Sequence, residues 1–75
     1  MKVDDLTRIK GVTSVLEAKL HEIGVYRFKQ IATWNTSQIN AFSDRLSFKG
    51  RIEREEWISQ ARALHQEEYG EHVGT

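Results

Sequence analysis

The stretch LTRIKGVTSVLEAKLHEIGV, residues 6–25, decides the fold, because it has the pattern of two short helices joined by a glycine turn. Leu6 and Ile9 lie three residues apart, which places them on one face of a first helix. Gly11 then ends that helix, since glycine adopts the positive φ of a helix C-terminus without a steric penalty. The segment predicts a helix of barely two turns followed by a tight connection.

Cap residues mark the start of both helices. Asp4 or Asp5 can cap the first helix, and Ser14 followed by Glu17 has the spacing of a capping box for the second. The second helix is predicted over about residues 15–23. Its apolar stripe consists of Leu16, Leu20 and Ile23.

Three more helices follow along the chain, at about residues 27–34, at 37–46 and from Arg51 or Ile52 to Gln66. Their predicted core residues are Phe28, Ile31, Trp34, Ile39, Phe42, Leu46, Trp57, Ile58, Ala61 and Leu64. No run of four or more residues alternates as a strand does. The sequence therefore predicts an all-α fold of about five short helices, with one domain over residues 1–66 and a frayed acidic tail over residues 67–75.

Composition excludes several classes of protein. A chain of 75 residues suits one small domain, and without cysteine neither a disulfide framework nor a thiolate metal site can support it. There is no apolar run long enough to cross a bilayer and no apolar secretory signal at the start, so we expect a cytoplasmic protein without membrane insertion. The three histidines, His21, His65 and His72, lack the spacing of a metal site and are predicted at the surface. We expect neither a metal nor a cofactor.

Charge is unevenly distributed although the net charge is zero. Residues 1–52 carry nine Lys and Arg against five Asp and Glu, whereas residues 53–75 carry two against six. Because long-range attraction of a polyanion depends on clustered charge of one sign, any contact with nucleic acid would have to be local. Carboxylates such as Asp4, Asp5 and Glu17 are expected at helix starts without any chemistry, so no catalytic group is predicted and the chain is not expected to be an enzyme.

The segment "LTRIKGV…LEAKLHEIGV" resembles the helix-hairpin-helix family. The longer string, which continues to "LSFKGRIEREEWISQARAL", is similar to a helical module at the C-terminus of some bacterial respiratory NADH dehydrogenase subunits of the thioredoxin-like iron-sulfur type. A similar module extends a large-subunit ribosomal protein. The resemblance covers about residues 3–65 and implies a tandem helix-hairpin-helix, SAM-like bundle. It also implies a portable binding module, since the hosts have little else in common.

In that family the hairpin turn binds phosphate through backbone N–H groups beside a helix N-terminus. The pattern has glycine at two positions, which correspond here to Gly11 and Thr13, and a basic residue often stands where this chain has Val15. Two interpretations stay open: a turn that still grips phosphate, and a tight connection in which Val12 fills the core. The candidate phosphate contacts are Lys10, Gly11, Thr13, Ser14, Lys19, Lys49, Gly50 and Arg51.

A second set of residues suits a protein interface. It consists of Tyr26, Trp34, Arg45 and Arg54. Tryptophan is enriched at interface hot spots, but in so small a chain Trp34 and Trp57 are expected mainly in the core, with Tyr26 partly exposed.

The function predicted from all this is a non-catalytic module that docks to a protein or ribonucleoprotein assembly. The resemblance suggests the respiratory NADH dehydrogenase or the ribosome. The alternative is sequence-independent nucleic-acid binding through the first hairpin and the basic cluster at residues 45–54. Self-association through a spare apolar face is a third interpretation.

Overall fold

A computed structural model describes residues 3–46 and 50–70. A 3₁₀ turn, Leu6–Arg8, precedes five α-helices: α1 (Ser14–Glu22), α2 (Phe28–Ala32), α3 (Thr36–Arg45), α4 (Arg51–Arg54) and α5 (Trp57–Tyr69). Within the described part of the chain there is no strand, so the all-α prediction is confirmed. The first predicted helix is this 3₁₀ turn, and the last predicted helix is divided into α4 and α5.

The caps of the 3₁₀ turn and of α1 agree only in part with those predicted from the sequence. Asp5 caps the 3₁₀ turn, with its carboxylate accepting from the backbone N–H of Thr7 at 3.1 Å. The predicted capping box of α1 is wrong, because Thr13 is the N-cap and its hydroxyl accepts from the N–H of Leu16 at 3.2 Å. Glu17 turns away from the cap and accepts from the N–H of Leu6 at 2.9 Å. The 3₁₀ turn and α1 are thereby joined.

Long-range and local caps hold the next two helices. The buried carboxylate of Asp4 accepts from the N–H of Phe28 at 2.8 Å, so it caps α2 across 24 positions of sequence. Helix α3 begins at a capping box of Asn35 and Gln38, whose side chains each accept from the other's backbone N–H at 2.8 and 2.9 Å.

Two left-handed residues set the path of the chain into α4 and between α4 and α5. Gly50 enters α4 at φ 71°, and Glu56 separates α4 from α5 at φ 54°. Glu56 is the one described residue other than glycine with a positive φ. Such a conformation costs roughly 1–2 kcal/mol for a residue with a Cβ, so the contacts around it must hold the chain there.

The core draws apolar side chains from every element. Helix α2 packs along α5, which itself packs against α4. The buried apolar residues are Leu6, Ile9, Val12, Leu16, Leu20, Val25, Phe28, Ile31, Ala32, Trp34, Leu46, Ile52, Trp57 and Ala61. The partly buried residues packed on them are Ile23, Ile39, Phe42, Ile58 and Leu64. Both tryptophans are in the core, as predicted.

Helix α5 extends three residues beyond its predicted end at Gln66. Tyr69 donates a hydrogen bond from its hydroxyl to the carboxylate of Asp4, and Arg8 pairs with Glu67 at 3.1 Å. His65 was predicted at the surface, which is wrong: it exposes only 4% of its surface and its ring lies 4.7 Å from that of Tyr69. Of the predicted tail, residues 71–75 and with them His72 lie outside the described residues.

Candidate functional site

The first glycine turn lies against the C-terminal part of the chain, whereas Gly50 of the second glycine turn lines a different groove. The first turn, Lys10–Ser14, faces the junction of α4 and α5, and a groove there is lined by Lys10, Gly11, Glu55, Glu56 and Gln60. We call these five residues the turn junction. It is where the predicted phosphate-binding turn meets the most acidic part of the sequence.

Glu55 occupies the centre of the turn junction. Its carboxylate accepts from the indole Nε1–H of Trp57 at 3.1 Å and from the Nε–H of Arg51 at 3.0 Å. The same carboxylate lies so close to Gly11 that a Cβ on that residue would overlap it. Arg51 also donates to the carbonyl oxygen of Gly11 at 3.3 Å. The first turn is therefore held by side chains from the other half of the molecule.

Gln60 of α5 clamps the same turn from a second side. Its side-chain oxygen accepts from the N–H of Lys10 at 2.8 Å, and its Nε2–H donates to the carbonyl oxygens of Lys10, at 3.3 Å, and of Glu55, at 2.7 Å. One side-chain amide thus forms hydrogen bonds with both the backbone N–H and the carbonyl oxygen of Lys10. This arrangement fixes the turn against α5.

The carboxylate of Glu55 is stabilised in its charged form. The hydrogen bond from Trp57 is the largest cause of a pKa below the ordinary value of 4.5, and Arg51 adds a hydrogen bond and its positive charge, while partial burial opposes them. Glu55 therefore carries a negative charge at neutral pH. A phosphate brought to the Gly11 side of the turn would meet that charge at close range, which disfavours binding.

The rest of the first turn presents little that is basic. Thr13 and Ser14 are exposed, and the hydroxyl of Thr13 is engaged by the N-terminus of α1. Val15, at the position where related modules often carry a basic residue, exposes 66% of its surface. Lys10 is exposed, but it stands beside Glu55 and Glu56. The face of this turn is therefore mixed in charge and partly apolar.

The remaining basic candidates do not gather around the first turn. Lys19 and Arg45 line a separate groove together with Glu22, Ile23 and Leu46, at the C-terminal ends of α1 and α3. Arg54 and Gly50 are exposed, and Lys49 lies outside the described residues. The two candidate sets, phosphate and interface, are thus mixed: Lys19 from the first shares a groove with Arg45 from the second.

The two aromatic residues of the predicted protein interface, Tyr26 and Trp34, lie in different environments. Tyr26 exposes 37% of its surface and stacks on His21 with ring centroids 5.0 Å apart. Trp34 exposes only 8% and packs on Phe42 with centroids 4.4 Å apart. An exposed patch that includes both residues is therefore absent from the described structure. Its apolar surface is instead provided by Val3, Val15 and Tyr26.

Glu55 and Gln60 are site residues that sequence reasoning missed. In the sequence, Glu55 is marked only as one of the six acidic residues among residues 53–75. Its distance from Gly11 in sequence hides the contact, and no local motif marks it. Trp57 gave a partial signal, because the indole N–H of a buried tryptophan requires an acceptor and a carboxylate two residues earlier can supply one.

Two further properties of the described residues bear on other functions. No helix among residues 3–46 and 50–70 is long and apolar enough to cross a membrane. In the same part of the chain, no three His, Asp or Glu side chains are grouped so that they could hold a metal ion.

Relatives of this chain are found in bacterial proteins of different kinds. It is 54% identical over 67 residues to the large ribosomal subunit protein bL21 of Jannaschia sp. (strain CCS1), a match covering 89% of this chain and 26% of the relative. It is 43% identical over 61 residues to the small ribosomal subunit protein uS2 of Methylobacterium nodulans, covering 81% and 18%. It is also 42% identical over 62 residues to an uncharacterized 22.9 kDa protein in the nqo2 3′ region of Paracoccus denitrificans, covering 81% and 29%.

The chain thus spans about a quarter of the length of the bL21 proteins that it matches. No solved structure is significantly similar to it. The predicted resemblance is confirmed by the large-subunit ribosomal relatives and by the relative from the nqo2 3′ region, and the small-subunit host was not foreseen. The model of the RS2/RL21/YNQ2 HHH domain matches residues 6–65, so the chain belongs to this helix-hairpin-helix family.

Proposed function

We propose that this chain is a non-catalytic docking module that attaches to a protein surface of the bacterial ribosome. The observation that carries the proposal is the exposed Val15 at the start of α1, beside a first turn whose glycine is covered by Glu55. An apolar side chain at that position favours contact with protein, whereas a phosphate contact requires a cation or free N–H donors. The ribosomal relatives support this choice of assembly.

The proposed surface combines apolar contact with few charges. Val15, Ala18 and Lys19 are exposed at spacings of three and four on α1, so they lie on one face of that helix. Val3 and Tyr26 add exposed apolar area elsewhere on the chain. We infer that the α1 face makes the principal contact, since Val15 is the most exposed of the large apolar side chains described.

Nucleic-acid binding is the second candidate, and one observation favours it. Lys19 and Arg45 line one groove, and neither forms a salt bridge within the described residues. Two cations in one groove suit a backbone phosphate, although Glu22 in the same groove opposes it. A respiratory NADH dehydrogenase partner is a third proposal, supported by the relative named for the nqo2 3′ region.

Cosedimentation with purified bacterial ribosomal subunits distinguishes these candidates. For protein docking we expect the chain to pellet with a subunit and to remain bound at physiological salt. Val15→Glu should then reduce binding about tenfold or more, because it places a charge in an apolar contact. The matched control is Lys10→Gln, which should leave binding unchanged.

The opposite pattern supports nucleic acid. Binding that fades steeply with salt, that Lys19→Gln and Arg45→Gln weaken in steps and that Val15→Glu leaves intact would contradict protein docking. If no subunit retains the chain at low salt, the ribosome is the wrong assembly, and the same experiment with respiratory membranes tests the third proposal.

A further inference from the structure

We infer that Glu55 is a built-in anionic ligand of the first turn, which occupies in cis a position that an external oxyanion would otherwise take. The site consists of the Trp57 indole N–H, the Arg51 guanidinium and the space beside Gly11 where a Cβ would otherwise lie. This inference concerns the isolated chain and does not depend on which assembly the module joins.

The geometry of the carboxylate is that of a bound anion. Two side-chain N–H groups donate to it, at 3.1 Å from Trp57 and at 3.0 Å from Arg51. A neutral indole donor and a guanidinium around one carboxylate form a small oxyanion site, because a charged acceptor strengthens each hydrogen bond. Phosphate has the same acceptor chemistry as the carboxylate and is the external ligand that these donors suit.

Gly11 leaves room for the carboxylate at the turn. A Cβ at this position would overlap the Glu55 carboxylate, whereas a Cβ on Gly24 or Gly50 would meet nothing within 4 Å. The close approach is therefore particular to the first turn. Glycine lets another group approach the backbone closely, and here that group is the chain's own carboxylate.

The backbone beside Glu55 is strained in a way that this contact explains. Glu56 is held at φ 54° and ψ 46°, and this left-handed step ends α4 immediately after Glu55. A continuous helix from Arg51 to Tyr69 would avoid the strain, but it would not turn the chain between Glu55 and Trp57. We attribute the break to the bonds that Glu55 forms with Trp57 and Arg51.

The test is an NMR titration of the labelled chain with inorganic phosphate at low salt. In the unmodified chain we expect the amides of Gly11–Val15 and the indole N–H of Trp57 to remain unmoved. Glu55→Ala empties the position and keeps both donors, so the same signals should shift saturably, with affinity about tenfold or more above that of the unmodified chain. Glu56→Gln removes one negative charge from the same groove without touching the donors, and should behave as the unmodified chain does.

Glu55→Gln is a second variant, which keeps the test possible if the alanine variant does not fold. It keeps the side-chain shape and removes the charge, so it should bind phosphate more weakly than Glu55→Ala and more tightly than Glu56→Gln. If a folded Glu55 variant shows no shift at the turn, Glu55 is only a structural clamp. If Glu56→Gln binds as well as Glu55→Ala, general charge rather than occupation of the site keeps phosphate away. Either result overturns the inference.

Discussion

Gly11 has a positive φ of 100°, as the other described glycines also have a positive φ, but it alone among them has a carboxylate against the position of a Cβ. Gly11→Ala should lower the free energy of unfolding by the strain of about 1–2 kcal/mol and by the further cost of displacing Glu55. Gly24→Ala is the matched control, because Gly24 has φ 86° and open space around it. Urea denaturation of both variants measures the difference, and equal losses would show that Glu55 moves aside without cost.

Glu55 should make stability depend on pH in a predictable direction. Because folding lowers the pKa of this carboxyl below 4.5, the folded state favours the charged form. The stabilisation is then complete above the unfolded pKa and disappears as pH falls through the folded pKa. The stability difference between the unmodified chain and Glu55→Gln should therefore be constant near neutral pH and shrink in acid.

Thermal unfolding over a series of pH values provides that measurement. The double variant Glu55→Gln with Trp57→Phe, compared with Trp57→Phe alone, is the control, because the indole hydrogen bond is the largest cause of the lowered pKa. In the absence of the indole N–H, the pH-dependent part of the stability difference caused by Glu55→Gln should be smaller. A stability difference that grows as pH falls would contradict the assigned direction.

Among the secondary structure elements, α1 offers a test of which residue begins the helix. Thr13 caps it through a hydrogen bond to Leu16, while Ser14 is the first residue inside the helix. Thr13→Ala should cost about 1 kcal/mol of stability, and Ser14→Ala should change it little, since alanine is a good helix former. Chemical denaturation compares the two. A larger loss at Ser14 would restore the capping box predicted from the sequence.

Helix spacing explains both what could be predicted in α5 and what was missed. Trp57, Ala61 and His65 lie at i, i+4 and i+8, so they share one face, and all three are buried. This pattern was visible in the sequence and could have placed His65 in the core. The break before Trp57 could not be found in this way, because glutamate has no preference for the left-handed conformation that Glu56 adopts.

At the scale of the whole molecule, the main long-range feature is the side-chain contact between the first and last described segments. Tyr69 donates to Asp4, and Asp4 in turn caps α2. Tyr69→Phe removes the hydroxyl and leaves a buried carboxylate with one partner fewer, so it should cost roughly 1–3 kcal/mol. Tyr26→Phe, at an exposed tyrosine, should cost little. Thermal unfolding of both variants checks the prediction, and equal losses would contradict it.

The fold could be predicted from sequence because apolar spacing and glycines are local signals. The stripe of Leu16 and Leu20 and the turn at Gly11 are both present in the structure. The candidate site could not be predicted as completely, since it depends on polar side chains brought from far along the chain. Glu55 reaches a turn more than forty positions earlier, and Asp4 caps a helix 24 positions later. Such contacts are determined by the packing of the helices and produce no periodic pattern in the sequence.

The bond between Asp4 and Tyr69 also has a consequence for how the domain can be joined to other proteins. Because these side chains touch, the two points where the chain enters and leaves the bundle are neighbours in space. A domain of this kind can be attached at either terminus of a host or inserted into a surface loop, with little separation between the two joints. A circular permutant, with residues 70 and 3 joined by a linker of about five residues and new ends between α3 and α4, should therefore retain the fold.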